Sequence, residues 1–462
     1  MYRRRLIKPS TVIDLSKYDT FGNLIPRCTA NCYIVSKPGK YKFPCVYGNA
    51  INNGKVNPVA FAKSGGTNDG NFVDGSGTTI DSSNFSLPIN LDFQISYNAD
   101  TDGLVLNDRL VIEDGMWYYE FEAPNIPSSG GNVIVSFANQ GVIYWSWHLW
   151  LWPESLAPIE IVSNSNEYRI MPINLASKKG SYQSSGINLS VFFSWYYQWG
   201  RPTPLLPSEE VVESDLATML TSSKASALVE GIRNPHIFYT NTDEPNNWFD
   251  GTVDQGLWDS TQNNSSYRGT DTVKTVYDPC PAGWKVPGIN QIPSVTPVFE
   301  SIFAVHIEDK NGKEWKLDKT GNRSYTDGGV YNIPDYCIWW SASKNDSSSG
   351  NSKAYNSLYY GYTSNLSDVS QRAQAYPIRP IIDLRAGGTM LILFTVESLD
   401  YIAEIGMTWF EWANSEYNNT TWKVFNNRIL VSSGFLYTFV AYAGDDVKLG
   451  DTIIAGRKYE IE

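Results

Sequence analysis

From Cys32 onward, apolar positions alternate with polar ones or form short continuous runs, and both patterns predict strands. Cys32-Tyr33-Ile34-Val35 and residues 41–47 flank the turn Lys37-Pro38-Gly39-Lys40 and read as a hairpin. Residues 91–97, 109–113, 116–122 and 132–138 continue the pattern and predict a β-sandwich over 28–155. The sandwich closes with residues 141–153, where period two puts Trp145, Trp147, Leu149 and Leu151 on one face and Ser146, His148, Trp150 and Trp152 on the other. Both faces are largely apolar, so this strand is expected to be buried between two domains, with His148 a satisfied interior histidine.

A second domain is expected over 160–385. Its apolar segments lie near residues 168–175, in the aromatic run 192–199 ended by Gly200 and Pro202, and at 232–239, 336–343 and 375–382. Residues 208–221 predict a helix, with Ser208 as N-cap, Glu209 and Glu210 in the first turn, and Val212, Leu216, Met219 and Leu220 on one face. A small mixed β domain is expected over 388–462, with strands at 390–396, 428–431, 435–442, 452–455 and 458–461. Thr408-Trp409-Phe410-Glu411 has the spacing of a capping box and predicts one short helix with Trp409 inward. The expected fold class is therefore mainly β with some α.

One stretch fits neither period. In residues 276–287, Pro279, Pro281 and Pro287 fix φ and push each preceding residue towards extended backbone, which excludes a helix. Gly283 makes a positive φ inexpensive, and Trp284 can anchor the segment in a core. These residues predict a rigid clasp without reactive chemistry. The expected core anchors of the whole chain are Trp145, Trp147, Trp199, Trp284, Trp339 and Trp409.

Composition agrees with a turn-rich β protein: 14% aromatic and 18% charged residues, with 36 Gly and 24 Pro. The net charge of −12 and the lack of a basic stripe along the body argue against nucleic acid as a partner. Basic charge is concentrated in residues 1–27, an arm carrying Arg3, Arg4 and Arg5. It reads as a frayed terminus or as an attachment element for an acidic partner surface. No apolar run reaches the length of a membrane span, and no apolar segment follows the arm as an export signal requires, so neither membrane insertion nor export is expected.

Candidate chemistry is sparse. Cys28, Cys32, Cys45, Cys280 and Cys337 are too few and too scattered for a disulfide framework, and the first three have no nearby fourth ligand for zinc. The acidic residues of the polar loop 62–84 miss the spacing of a calcium-binding hand. Nucleotide, metalloprotease and serine-hydrolase motifs are missing, so no catalytic residue, metal or cofactor is expected. Residues 344–365 differ in kind, combining Asn345, Asn351, Tyr355, Asn356, Tyr359, Tyr360, Tyr362 and Asn365 with serines and glycines. Tyr and Asn in such density suit an adaptable binding surface, and a solvated hairpin fits the same composition.

The clasp, the Trp145–Trp150 run and Tyr196-Tyr197-Gln198-Trp199-Gly200-Arg201 together resemble the fimbrillin-associated, major-paralogous-domain family of Bacteroidetes. That resemblance covers about residues 28–385 and implies an immunoglobulin-like (Ig-like) domain followed by a C-type-lectin-like domain. Trp339-Trp340-Ser341-Ala342-Ser343 and Ile378-Arg379-Pro380 resemble its closing strands, without the usual Arg-Cys ending. Glu244-Pro245-Asn246 resembles the calcium and sugar tripeptide of C-type lectins but lies upstream of the clasp, where that role is not expected. Residues 406–418 resemble a C-terminal module of structural proteins from gut bacteriophages, including crAss-like ones. The resemblance implies a virion protein assembled in the host cytoplasm and attached to other virion proteins. It further implies a homo-oligomer, taken as a trimer, that contacts a host glycan or protein. A bacterial pilus-tip adhesin at the cell surface is the alternative.

Overall fold

A computed structural model describes residues 12–62, 72–99, 103–163, 166–184, 187–205, 220–243, 247–250, 256–261, 272–293, 299–300, 304–333, 335–346, 352–360, 363–383, 389–395, 423–425 and 436–442. The fold is mainly β. The first region contains β1 (Ile13–Asp14), β2 (Cys32–Val35), β3 (Gly39–Pro44), β4 (Ile51–Asn52), β5 (Lys55–Val56), β6 (Gln94–Ala99), β7 (Leu106–Glu113), β8 (Met116–Ala123), β9 (Gly131–Asn139) and β10 (Val142–Leu151). Two four-stranded sheets form from these, β1-β3-β8-β7 and β2-β10-β9-β6. Phe43 from the first sheet meets Trp147 from the second at 5.7 Å between ring centres, so the sheets enclose a common core. The hairpin expected of Cys32–Val35 and residues 41–47 does not form: β2 pairs parallel with β10, Cys32 opposite His148, whereas β3 pairs with β8, so the turn between β2 and β3 carries the chain from one sheet to the other.

The second region begins with β11 (Ile159–Ser163) and β12 (Asn166–Ile170), then the hairpin β13 (Ser177–Ser184) and β14 (Ile187–Ser194), and β15 (Tyr197–Gln198). Next come β16 (Leu220–Ser223), the one-and-a-half-turn helix α1 (Leu228–Arg233) and β17 (Ile237–Thr240). The clasp contributes β18 (Trp284–Lys285), and β19 (Phe299–Glu300), β20 (Ala304–Glu308) and β21 (Glu314–Asp318) form a sheet. After β22 (Asn322–Arg323) and β23 (Val330–Tyr331) come the three long strands β24 (Cys337–Asp346), β25 (Ser352–Tyr360) and β26 (Thr363–Gln371), an antiparallel meander. Short strands β27 (Ala375–Tyr376) and β28 (Ile381–Ile382) close the region, and β28 joins β12 to the clasp strand β18. In the terminal segment, β29 (Thr389–Thr395) lies between β30 (Lys423–Phe425) and β31 (Leu436–Tyr442).

The helix expected over 208–221 meets a correction at its end. Leu220 and Thr221 belong to β16, which pairs parallel with β17, and residues 208–219 lie outside the described residues. Helical spacing of apolar residues lost to strand pairing there, as tertiary context overrides local pattern. The single described α-helix follows instead at Leu228–Arg233. The capping box at 408–411, its Trp409, and the strands expected at 428–431, 452–455 and 458–461 lie outside the described residues, as does the arm with Arg3, Arg4 and Arg5.

One hydrophobic cluster runs through both regions, from Cys32 and Phe43 through Trp145, Trp147 and Trp150 to Trp199, Trp284 and Trp340. The two faces of β10 explain this continuity. Trp145 and Trp147 point into the sandwich, against Tyr47 and Phe43. On the other face, His148 stacks on Trp195, Trp152 meets Phe192, and the Trp150 indole N–H donates to the Ser177 carbonyl at 2.9 Å. Thus β10 is an internal wall shared by two regions. Fully burying side chains of this size contributes on the order of 2–3 kcal/mol each before the entropy of ordering is counted.

Candidate functional site

The clasp occupies the seam between the two regions. Asn31 donates from Nδ2 to the carbonyls of Val276 and Asp278 at 2.7 and 2.8 Å, and its Oδ1 accepts from the Trp145 indole at 3.0 Å. Tyr277 fills the space between Trp145 and Phe72 and exchanges hydrogen bonds with the backbone of Val73. Gly48 approaches so closely that a Cβ there would lie 2.0 Å from the Val276 carbonyl oxygen, so only glycine allows this contact. Gly283, at φ +82°, makes the sharp turn before Trp284. The Trp284 indole in turn donates to Thr20 Oγ1 at 2.8 Å, which fastens the lead-in segment over the clasp.

Inside the clasp the polar groups converge. The Lys274 ammonium donates to the carbonyls of Cys280, Pro281 and Trp284 at 2.6, 3.0 and 2.9 Å, using all three of its protons. Asp278 lies 3.8 Å from that ammonium and accepts from the backbone N–H groups of Cys280 and Val286 at 2.8 and 2.9 Å. Burial pushes the Asp278 carboxyl above the usual carboxylate range, against the pull of Lys274 and these N–H donors. Cys280 and Cys32, both buried nearby, are raised by desolvation and are poor nucleophiles. This arrangement can hold a turn but offers no activated group. His148 is likewise held down to about 3 by burial and bonds Asn132 Oδ1 through Nε2 at 2.9 Å, while its Nδ1 is buried without a hydrogen-bond partner, so the expected interior histidine is satisfied at one ring nitrogen only.

From the clasp, hydrogen bonds lead to the candidate binding surface. Ala342 N–H donates to the Pro287 carbonyl at 2.7 Å, and Ile289 N–H donates to Ser343 Oγ at 3.0 Å. Two indoles hold the same base: Trp199 donates to the Ser341 carbonyl at 3.0 Å, and Trp340 donates to the Tyr197 carbonyl at 2.7 Å. The root of β24 is therefore locked into the core.

Beyond that root, the Tyr- and Asn-rich stretch is a sheet rather than a loop. Tyr355, Asn356, Tyr359 and Tyr360 are in the middle strand β25, Asn345 is in β24, and Asn365 is in β26. The register sets Asn356 between Trp340 and Asp368, Tyr359 between Cys337 and Ser364, and Asn365 opposite Leu358. Asn351 and Tyr362 lie outside the described residues. Strand pairing thus brings six of the eight candidates into one sheet. The expected core anchors Trp145, Trp147, Trp199, Trp284 and Trp339 are all buried.

Three groups central to the clasp, Lys274, Asp278 and Asn31, were not legible as such. The four-residue spacing from Lys274 to Asp278 was a usable signal, whereas nothing local marks Asn31. Among the described residues, no cluster of His, Cys, Asp or Glu could hold a metal ion, and none of the five cysteines is joined in a disulfide. None of the described helices is long and apolar enough to cross a membrane. No family model, curated protein or solved structure matches the chain.

Proposed function

We propose that this chain is a non-enzymatic structural protein of a bacteriophage particle that carries a host-contacting surface on a rigid mount. The first region serves as an Ig-like sandwich, the second as a C-type-lectin-like domain, and the meander β24-β25-β26 is the contact surface for a host glycan or protein. The basic arm with Arg3, Arg4 and Arg5 attaches the chain to neighbouring virion proteins.

The observation that carries this reading is the chain of contacts from β10 through the clasp to the base of β24. A surface whose root is fixed in a continuous core loses little conformational freedom on binding, which favours recognition by Tyr and Asn side chains. Several copies on one particle would add avidity. The full chain, added to host cells at micromolar concentration, is expected to bind them and to slow phage adsorption, and antibody to the chain is expected to decorate intact particles. Decoration without binding or competition would leave a purely structural virion component. Labelling of bacterial pili instead of particles would establish the adhesin reading.

A further inference from the structure

The face of β10 that meets the second region is not apolar throughout. Beside Trp150 it carries Ser146 and His148, and β9 adds Asn132 and Ser136 on the same side of the sheet. All four polar residues are buried. Ser136 and Ser146 satisfy each other, hydroxyl to hydroxyl, at 2.7 Å. His148 is covered by Trp195, with 6.2 Å between ring centres and 20° between the planes. Ile134, Ala176 and Trp195 form a small apolar cluster of their own beside it.

The hydrogen bonds at this spot fix which groups donate. Asn132 Nδ2 donates to the Ala176 carbonyl at 3.3 Å, so its Oδ1 is the atom that faces His148, and His148 Nε2 is the donor of that pair. Burial keeps the imidazole uncharged, which leaves Nδ1 as a bare acceptor. That acceptor is buried without a partner, and so are the Trp195 indole Nε1, a donor, and Asn174 Oδ1, an acceptor. Ala176 draws the three towards one place: its carbonyl also accepts from the Trp195 backbone N–H at 3.4 Å, and Asn174 lies two residues before it. Its φ of +60° is a conformation that an alanine adopts only at a cost, so the backbone here is held in place by its surroundings. We propose that a buried water molecule is a fixed part of the seam between the two regions, accepting from Trp195 Nε1 and donating to His148 Nδ1, with its second proton available to Asn174 Oδ1.

The set of groups selects the ligand. One donor and two acceptors are the complement of a water molecule, which offers two protons and a lone pair, and three polar partners are what an internal water commonly has. A metal ion does not fit, because the indole nitrogen carries its proton and has no lone pair to give. An anion does not fit, because two of the three groups are acceptors. Left unpaired, each group costs about 1–3 kcal/mol, so one ordered water recovers more than its loss of freedom costs. The contact between the regions is therefore dry around Trp150 and Trp152 and wet beside His148. This inference does not depend on the virion reading, because it concerns the interior of the chain alone.

Two measurements on the full chain test it. A high-resolution crystal structure is expected to show a single density peak at about 2.7–3.2 Å from both Trp195 Nε1 and His148 Nδ1. Well-ordered rings with no density between those two nitrogens overturn the proposal. In solution, the indole proton of Trp195 in the nitrogen-15-labelled protein, assigned by its disappearance in Trp195→Phe, is expected to show a cross-peak to water with the sign of a long-lived bound molecule. An indole proton without that cross-peak overturns the proposal as well. His148→Phe keeps the stacked ring and removes the acceptor, and loss of the cross-peak is expected. A folded His148→Phe protein that retains the cross-peak unchanged overturns the bridge, because the water then needs Trp195 alone. Where that variant does not fold, the two readings on the wild-type chain decide the matter by themselves.

Discussion

The two regions of this molecule solve the same problem differently. The sandwich satisfies its backbone groups through long ladders, as in β9 against β10. In the second region many strands are two residues long, and side-chain donors take over that task. Lys274 satisfies three carbonyls of the clasp, the indoles of Trp248 and Trp258 cap the loop carbonyls of Trp199 and Arg201, and those of Trp199 and Trp340 take the carbonyls of Ser341 in β24 and Tyr197 in β15. Arg201 follows the same rule, donating to the carbonyls of Ile237, Gly231 and Asn234 at 2.7, 2.9 and 3.0 Å, with Tyr239 and Trp248 against its guanidinium. The lesson is that irregular backbone can be buried when long side chains reach its carbonyls, whatever the sequence separation.

If that contrast is right, the second region should be the more sensitive to loss of a single polar atom. Lys274→Met keeps the stem but leaves three carbonyls and Asp278 uncompensated, and should cost about 3–5 kcal/mol in urea unfolding. A loss below about 1 kcal/mol would mean that the clasp is held by packing alone.

Next in size is a pH effect. Burial raises Asp318 to about 7 despite Arg379. Its unfolded carboxyl titrates near 3.8, so the stability tied to this group is full below that pH and is lost as pH rises to about 7. Asp318→Asn should therefore match wild type near pH 3.5 and exceed it at pH 8 by roughly 2–4 kcal/mol, read from urea midpoints. A variant weaker than wild type at pH 8 would show that the ionised carboxylate is favourable. His148, held down to about 3, works in the opposite sense: its contribution is full above the unfolded value of 6.5 and is lost as pH falls towards 3.

Trp199→Phe keeps one aromatic ring but removes the donor to Ser341 and part of the buried indole, for an expected loss of about 1–3 kcal/mol. The smallest effect belongs to the sandwich surface. Lys42→Ala breaks the Lys42–Glu113 pair at 2.5 Å and should cost less than about 1 kcal/mol, since both groups retain access to water. A melting shift as large as that of Trp199→Phe would erase the distinction between the regions.

The same contrast explains what was readable in the sequence. In the sandwich, alternation over residues 116–122 and 132–138 marked β8 and β9 to within one residue at each end, because long ladders leave a local pattern. The two-faced run 141–153 marked β10, a shared wall, for the same reason. In the second region a strand such as β15 pairs over two residues, and its partner β27 lies nearly 180 residues away, so no local period records it. Apolar spacing around Leu220 matched a helix by chance. The composition of residues 344–365 suggested a surface, but only the register with β24 showed it to be a meander.

The positive charge at the middle of the clasp is bonded to the chain through the Lys274 side chain. Turns of this kind can be organised by a bound cation, which dilution or a chelator then removes. Here the cation is covalently part of the chain, so neither dilution nor a chelator can remove it. The seam should therefore hold its fold on dilution and in the presence of a chelator, conditions that undo a turn built on a bound ion.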